Sequence, residues 1–227
     1  MSVQVLIFLC AATLLSGCNL FNNDQGKLSR ELIPLAVGNY WIYETTYLDV
    51  LKDTIRYEVT GEVQVPVGDT SYTAFAANFM PFPSDLEPYY WLRRNGEQGI
   101  YTMGGISNAD TLFMNEVEYK LPSEVGETIQ TPQLAFSQER LEFYISDTLS
   151  ITLIDDDREI VTPAGKFECY VYKFKVDFYE EEVVFATWNY FMYYNSGIGL
   201  VAQISTTENK PEDTKEEMYL MKYQIYQ

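Results

Sequence analysis

The chain contains no histidine in 227 residues. That absence removes Ser-His-Asp and Cys-His nucleophile arrangements and every zinc site built on imidazole. Cysteine is scarce: Cys10, Cys18 and Cys169 are the whole set. Basic residues are few, with 15 Lys and Arg against 33 Asp and Glu and a net charge of −18. A body this acidic disfavours nucleic acid and charge-driven docking on anionic lipid. No glycine-rich phosphate loop ending in Lys-Ser or Lys-Thr occurs, and "TMGGIS" at 102–107 lacks nucleotide-loop spacing and reads as a turn. No cofactor is expected.

The longest apolar run, "VQVLIFLCAATLL" at 3–15, falls short of the about 20 residues that cross a bilayer. It has the length of the apolar region of a secretory signal, although no Lys or Arg precedes it. Leu15-Ser16-Gly17-Cys18 follows directly. This tetrad resembles the lipobox of bacterial lipoproteins. The resemblance implies acylation of the Cys18 thiol, cleavage before it and acylation of the new amine. Several acyl chains, each CH₂ adding about 0.8 kcal/mol of membrane affinity, make a firm anchor. By the same resemblance, Asn19, rather than an aspartate, points to the outer membrane.

The expected organisation is therefore a signal peptide at 1–17, a lipidated flexible tether at 18–31 and one domain at 32–227. The tether is polar, with "NNDQGK" at its centre. Loss of Cys10 with the signal and acylation of Cys18 leave Cys169 alone, so the mature chain has no intramolecular disulfide to form. Cys169 reads as a covered, inert thiol, because no histidine stands ready to lower its pKa.

Within the domain, period-two alternation dominates and helical periodicity is nearly absent. The clearest strand is 54–65, with Ile55, Tyr57, Val59, Val63 and Val65 on one face and Gly61 marking a bend or bulge. A second is 170–178, with Tyr170, Tyr172, Phe174, Val176 and Phe178 opposite Lys173, Lys175 and Asp177. Weaker strands are expected at 39–48, 70–79, 89–94, 99–103, 111–119, 141–154, 183–194, 199–205 and 216–226. Eleven strands suffice to close or strongly curve a sheet. The expected fold is all-β: a single strongly curved antiparallel sheet or incomplete β-barrel. "IPLAVGNYW" at 33–41 and "KLPSEVGETI" at 120–129 share P-x-x-V-G. One short match does not establish duplication, and the two read as similar turns.

Two acidic clusters, Asp155-Asp156-Asp157 and Glu180-Glu181-Glu182, stand out. Paired carboxylates serve glycosidases and calcium sites, but neither cluster has calcium-loop spacing, and consecutive residues of a strand point oppositely. Both read as solvated turns, the second as a hairpin tip. No catalytic residue and no metal site are assigned. Aromatics make up 15% of the chain. Most should fill a β core. Trp41, Tyr89, Tyr90, Trp91, Trp188, Tyr193 and Tyr194 are the candidates for an exposed ligand-binding cluster.

Three segments together, "PLAVGNYWIYE" (34–44), "VTPAGKFECYVY" (161–172) and "YYNSGIGLVAQ" (193–203), resemble a broad group of uncharacterised bacterial envelope lipoproteins and secreted proteins. The group shows P-x-x-V-G-N-x-W, A-G-x-F and G-x-G-L-V in this order. It supplies no catalytic residues. The implied curved sheet is similar in outline to periplasmic lipoprotein carriers of the LolA/LolB kind, which hold acyl chains in a concave sheet. The functional expectation is a non-enzymatic, membrane-anchored envelope lipoprotein that binds a hydrophobic or lipid ligand in that concavity. The alternative is a structural or accessory lipoprotein of an outer-membrane assembly, or a glycan-binding surface protein, whose partner is an envelope protein or glycan. A hydrolase with two carboxylates on one cleft ranks third. A carrier requires a continuous apolar pocket of more than a few hundred cubic ångströms; an interaction protein requires a filled core.

Overall fold

A computed structural model describes residues 32–47, 51–78, 90–96, 99–107, 110–137, 142–180, 183–207 and 216–226. Among these residues the chain is all-β, with twelve strands and no helix. They are β1 (Tyr40–Tyr47), β2 (Leu51–Val67), β3 (Thr70–Ala77), β4 (Tyr90–Asn95), β5 (Gly99–Ser107) and β6 (Asp110–Lys120), then β7 (Thr128–Ser137), β8 (Glu142–Thr162), β9 (Gly165–Glu180), β10 (Val183–Asn195), β11 (Gly199–Thr207) and β12 (Glu216–Gln224). All pair antiparallel in one sheet, ordered β6-β5-β4-β3-β2-β1-β12-β11-β10-β9-β8-β7. The sheet does not close into a barrel, because β6 and β7 stand at its two edges.

That order is two six-stranded meanders joined back to back at β1 and β12. The seam runs from Tyr40 opposite Gln224 to Tyr47 opposite Glu216, with one bulge at Ile42/Tyr43. Each meander opens with one of the two P-x-x-V-G turns. Gly38 and Gly126 have φ of 94° and 90°, a region that L side chains avoid. The amide of Gly38 donates to Val59 O, and that of Gly126 to Leu153 O. Val59 N returns a bond to Asn39 O, as Leu153 N does to Glu127 O. Asn39 N donates to Ala36 O, as Glu127 N does to Glu124 O. The two segments, read from sequence as merely similar turns, are structurally equivalent starts of two matching halves.

The equivalence extends to the long second strand of each half. In β2 the ladder to β3 slips between Val59 and Gly61. In β8 the ladder to β9 slips between Leu153 and Asp155 and again before Arg158. A bulge adds one residue and so reverses which side chains face the core. This corrects the expectation that one face of β2 carries all five apolar residues. Tyr57 and Val59 pack with the main core, but beyond Gly61 Val63 and Val65 join Ala74, Ala76, Leu92 and Met103 in a separate cluster on the other face.

The strand missed from sequence is β7. Its "TIQTPQLAFS" lacks alternation and carries Pro132. Proline cannot donate to a ladder, so it is tolerated on an edge strand, and β7 pairs with β8 alone. The acidic triplet 155–157 also departs from expectation. It lies within β8 at the double bulge, and the hairpin turn comes later, where Thr162 faces Gly165. Of the Glu180 cluster, Glu180 ends β9 and pairs with Val183, the first residue of β10, and 181–182 lie outside the described residues.

Candidate functional site

Seven aromatics were expected to mark an exposed cluster, and the fold disperses them. Trp41, Trp91 and Tyr194 are buried. Trp41 sits on the core face of β1 and its indole N–H donates to Ile198 O. Tyr194 packs edge-on against Tyr172, with ring centroids 6.1 Å apart. Trp188 and Tyr193 are half-buried, and the Trp188 ring stacks on Tyr190 at 5.9 Å. Tyr90 is half-buried and packs with the smaller cluster, on the face of β4 opposite Trp91. Tyr89 and the acylation site Cys18 lie outside the described residues. Alternation explains the dispersal, since the neighbours Tyr90/Trp91 and Tyr193/Tyr194 point to opposite faces.

Between the two halves the core is rich in phenols. The Tyr43 hydroxyl donates to Leu200 O at 2.8 Å, and Tyr172 donates to Pro122 O at 3.4 Å. Burial raises the pKa of Tyr43 and Tyr194 above the ordinary phenol value, so both stay neutral and act as O–H donors. A pocket lined by Ile33, Trp41, Tyr43, Tyr57, Tyr194 and Leu200 offers about 10 Å³, room for about one water.

Sequence reasoning missed a cation that is buried among the described residues. Arg93, on β4, is 1% exposed. Its cross-strand neighbour Phe75 packs on the main core, so Arg93 faces inward. Nη1 donates to Thr102 Oγ1, and the guanidinium lies 5.1 Å from the Trp91 ring centroid. Burial lowers its pKa to about 10, opposed by Tyr119 and Tyr194, so it remains charged at neutral pH. The signal was faint: in "YWLRRN", Arg93 shares a phase with Trp91, the inward residue, while Arg94 shares one with Leu92.

Cys169 is 1% exposed and burial pushes its thiol up to about 12, which makes it inert. The carboxylate oxygens of Asp155, Asp156 and Asp157 lie within 4.8 Å of one another, brought together by the double bulge. The last two acids are exposed, and Arg158 pairs with Asp155 at 3.7 Å. The hydrogen bond with Asp155, and then repulsion from Asp155, raise the Asp157 pKa.

No protein-family model matches the chain, and no curated protein matches it. Two solved structures align with it. One is a protein assigned as exported, with a YmcC-like fold, from Bacteroides fragilis, at 14% identity and TM-score 0.45 over 85% of this chain and 98% of that one. The other is assigned as a lipoprotein of Parabacteroides distasonis, at 13% identity and TM-score 0.46 with the same coverage.

Proposed function

We propose that this protein is a non-enzymatic lipoprotein of the bacterial envelope that acts through its surface as a structural or interaction partner. The anchoring half of the reading rests on Leu15-Ser16-Gly17-Cys18 behind an apolar run of signal length. The surface-acting half rests on the space between the two meanders. A carrier of acyl chains needs a pocket of about 300 Å³ or more. The phenol-lined pocket, at about 10 Å³, holds none. The acidic charge keeps the tethered body off anionic lipid, free to meet an envelope protein. Asn19 supports placement in the outer membrane.

The test is metabolic labelling with palmitate, with Cys18→Ala alongside. Wild type should incorporate label and fractionate with outer membrane, and Cys18→Ala should do neither. Equal processing and fractionation of the two proteins would overturn the anchoring. Cross-linking in intact cells should then capture an envelope protein, whereas co-purification of stoichiometric long-chain lipid would restore the carrier reading.

A further inference from the structure

The space between the two halves is closed in part by a segment that belongs to no strand. Leu32, Ile33 and Leu35 are 2%, 3% and 5% exposed and pack in the main core, yet 32–36 lies outside the sheet. Two side-chain amides hold its carbonyls. Asn95 Nδ2, at the end of β4 in the first half, donates to Ile33 O at 3.4 Å, and Asn39 Nδ2 donates to Pro34 O at 2.8 Å. On the side of the second half, a methyl on Gly199 of β11 would lie 3.5 Å from Pro34 Cδ and 3.6 Å from Leu32 O. Ile33 also walls the phenol-lined pocket. The matching turn before β7 carries no such segment. Leu121 stands where Ile33 does and is buried, but the counterparts of Leu32 and Leu35 are Lys120 and Ser123, both exposed. The turn therefore does not require those two leucines, and their part is to fill the interior.

We propose that Leu32–Leu35 is a removable plug, which seats in the apolar groove between the two halves and withdraws from it while the sheet stays folded. Withdrawal breaks no ladder bond, and a hinge lies next to the segment at Gly38, whose φ is 94°. Strands are locked by their ladders, whereas a segment held by side chains belongs to the low-stability end of a fold and opens first. With the plug out, Trp41, Tyr43, Tyr57, Tyr194 and Leu200 line the vacated groove. The plug is thus an autoinhibitory contact. Seated, it keeps the interior filled, as the surface-acting reading requires; withdrawn, it exposes an apolar groove that fits an extended apolar peptide like itself. Seating does not depend on acylation of Cys18. On the anchoring reading, however, the tether at 18–31 joins the plug directly, so tension in the tether acts on the plug before it acts on the sheet.

Thiol labelling of the full-length protein with iodoacetamide tests this, because the buried Cys169 serves as a reference for global opening. In Leu35→Cys the introduced thiol should label at least about tenfold faster than Cys169 without denaturant, and the two rates should converge as urea approaches the unfolding midpoint. Peptide mass spectrometry assigns each label, so label on Cys18 would count against acylation and leave the plug standing. Equal rates at positions 35 and 169 at every urea concentration would overturn the plug. Leu32→Lys combined with Leu35→Ser gives the first turn the residues of the second. This double variant should keep a cooperative thermal transition and bind a fluorescein-labelled peptide of residues 31–36 saturably. Wild type, with its own plug seated, should bind that peptide at least about tenfold more weakly. A folded double variant that does not bind the peptide would overturn the groove. A double variant that cannot fold would show that the sheet requires the segment, which overturns its removal.

Discussion

The turn before β1 and the turn before β7 share one backbone and carry different side chains. After the glycine comes Asn39 in the first and Glu127 in the second. Asn39 is 0% exposed. Its amide donates to Pro34 O at 2.8 Å and its carbonyl accepts from Tyr226 N at 2.6 Å. It thereby ties the turn before β1 to Tyr226, a residue far along the chain. Glu127 is exposed and accepts from Ser123 N at 2.7 Å and Glu124 N at 3.2 Å, bonds within its own turn. There the chain itself joins β6 to β7 through 121–127. One seam is thus laddered and clamped. The other, β6 against β7, is bridged by chain and by Thr131 Oγ1 donating to Glu118 O at 3.4 Å. A clamp is needed where segments far apart in the chain must be held, and a short connection makes one redundant.

The sharpest way to break this comparison is to truncate the residue three places after each glycine. Trp41 is buried, and its equivalent Ile129 is half-buried. Trp41→Ala should cost about 3–5 kcal/mol, from lost area, a cavity and the orphaned Ile198 carbonyl. Ile129→Ala, partly solvated already, should cost about 1–2 kcal/mol. Urea unfolding of both variants measures the difference, and equal losses would mean that the two seams carry equal load.

The clamp itself comes next. Asn39→Ala leaves Tyr226 N and Pro34 O without their partner, and should cost about 2–3 kcal/mol. Glu127→Ala releases exposed amides to water and should cost less than about 1 kcal/mol. Hydrogen exchange adds a local readout: Asn39→Ala should speed exchange at the β1/β12 seam, and Glu127→Ala should leave that seam unchanged. Exchange that rises equally everywhere in both variants would contradict a local clamp.

A smaller contrast lies in the glycines. Both φ values are positive, so alanine at either position should cost about 1–2 kcal/mol. A methyl on Gly126 meets nothing within 4 Å, but on Gly38 it would sit 3.1 Å from the Tyr226 ring. Gly38→Ala should therefore exceed Gly126→Ala by the cost of moving that ring, and Gly38→Ala combined with Tyr226→Ala should remove the excess. A double variant as unstable as the sum of its parts would exclude the contact.

Alternation made the sheet legible, because period-two patterns at 54–65 and 170–178 declare their half-buried faces locally. Tyr172, Phe174 and Val176 are buried as that pattern requires, and Lys173, Lys175 and Asp177 are not. Bulges were less legible. Gly61 signalled one, but the acids of 155–157 concealed another, because a solvated bulge and a solvated turn have the same composition. The equivalence of the two turns showed in only three shared letters, P, V and G, and the bonds that match them reach Val59 and Leu153, far along the chain. The interior Arg93 was hidden for the same reason. It lies against Phe75 of β3 and Thr102 of β5, and a local pattern does not encode which strands cover it.

The smallest expected effect concerns charge at the far end of the laddered seam. Glu216 pairs with Tyr47 and is half-buried, and desolvation raises its pKa above the ordinary 4.5. A carboxyl whose pKa is higher in the fold than in the unfolded chain binds more protons when folded. Stability from this group is therefore present at low pH and is lost as pH rises from the unfolded value through the raised one. Its charge also bears on Tyr57, whose pKa rises through burial and then through Glu216. Glu216→Gln removes both effects and keeps the shape. The variant should gain on wild type as pH climbs from about 4 to 7, by a few tenths of a kcal/mol at a half-exposed site. The β6/β7 seam offers a control: Glu118 lies 3.7 Å from Lys120, so Glu118→Gln loses an ion pair and should not gain on wild type as pH climbs. If both substitutions change the slope alike, the contrast between the seams does not extend to their charges.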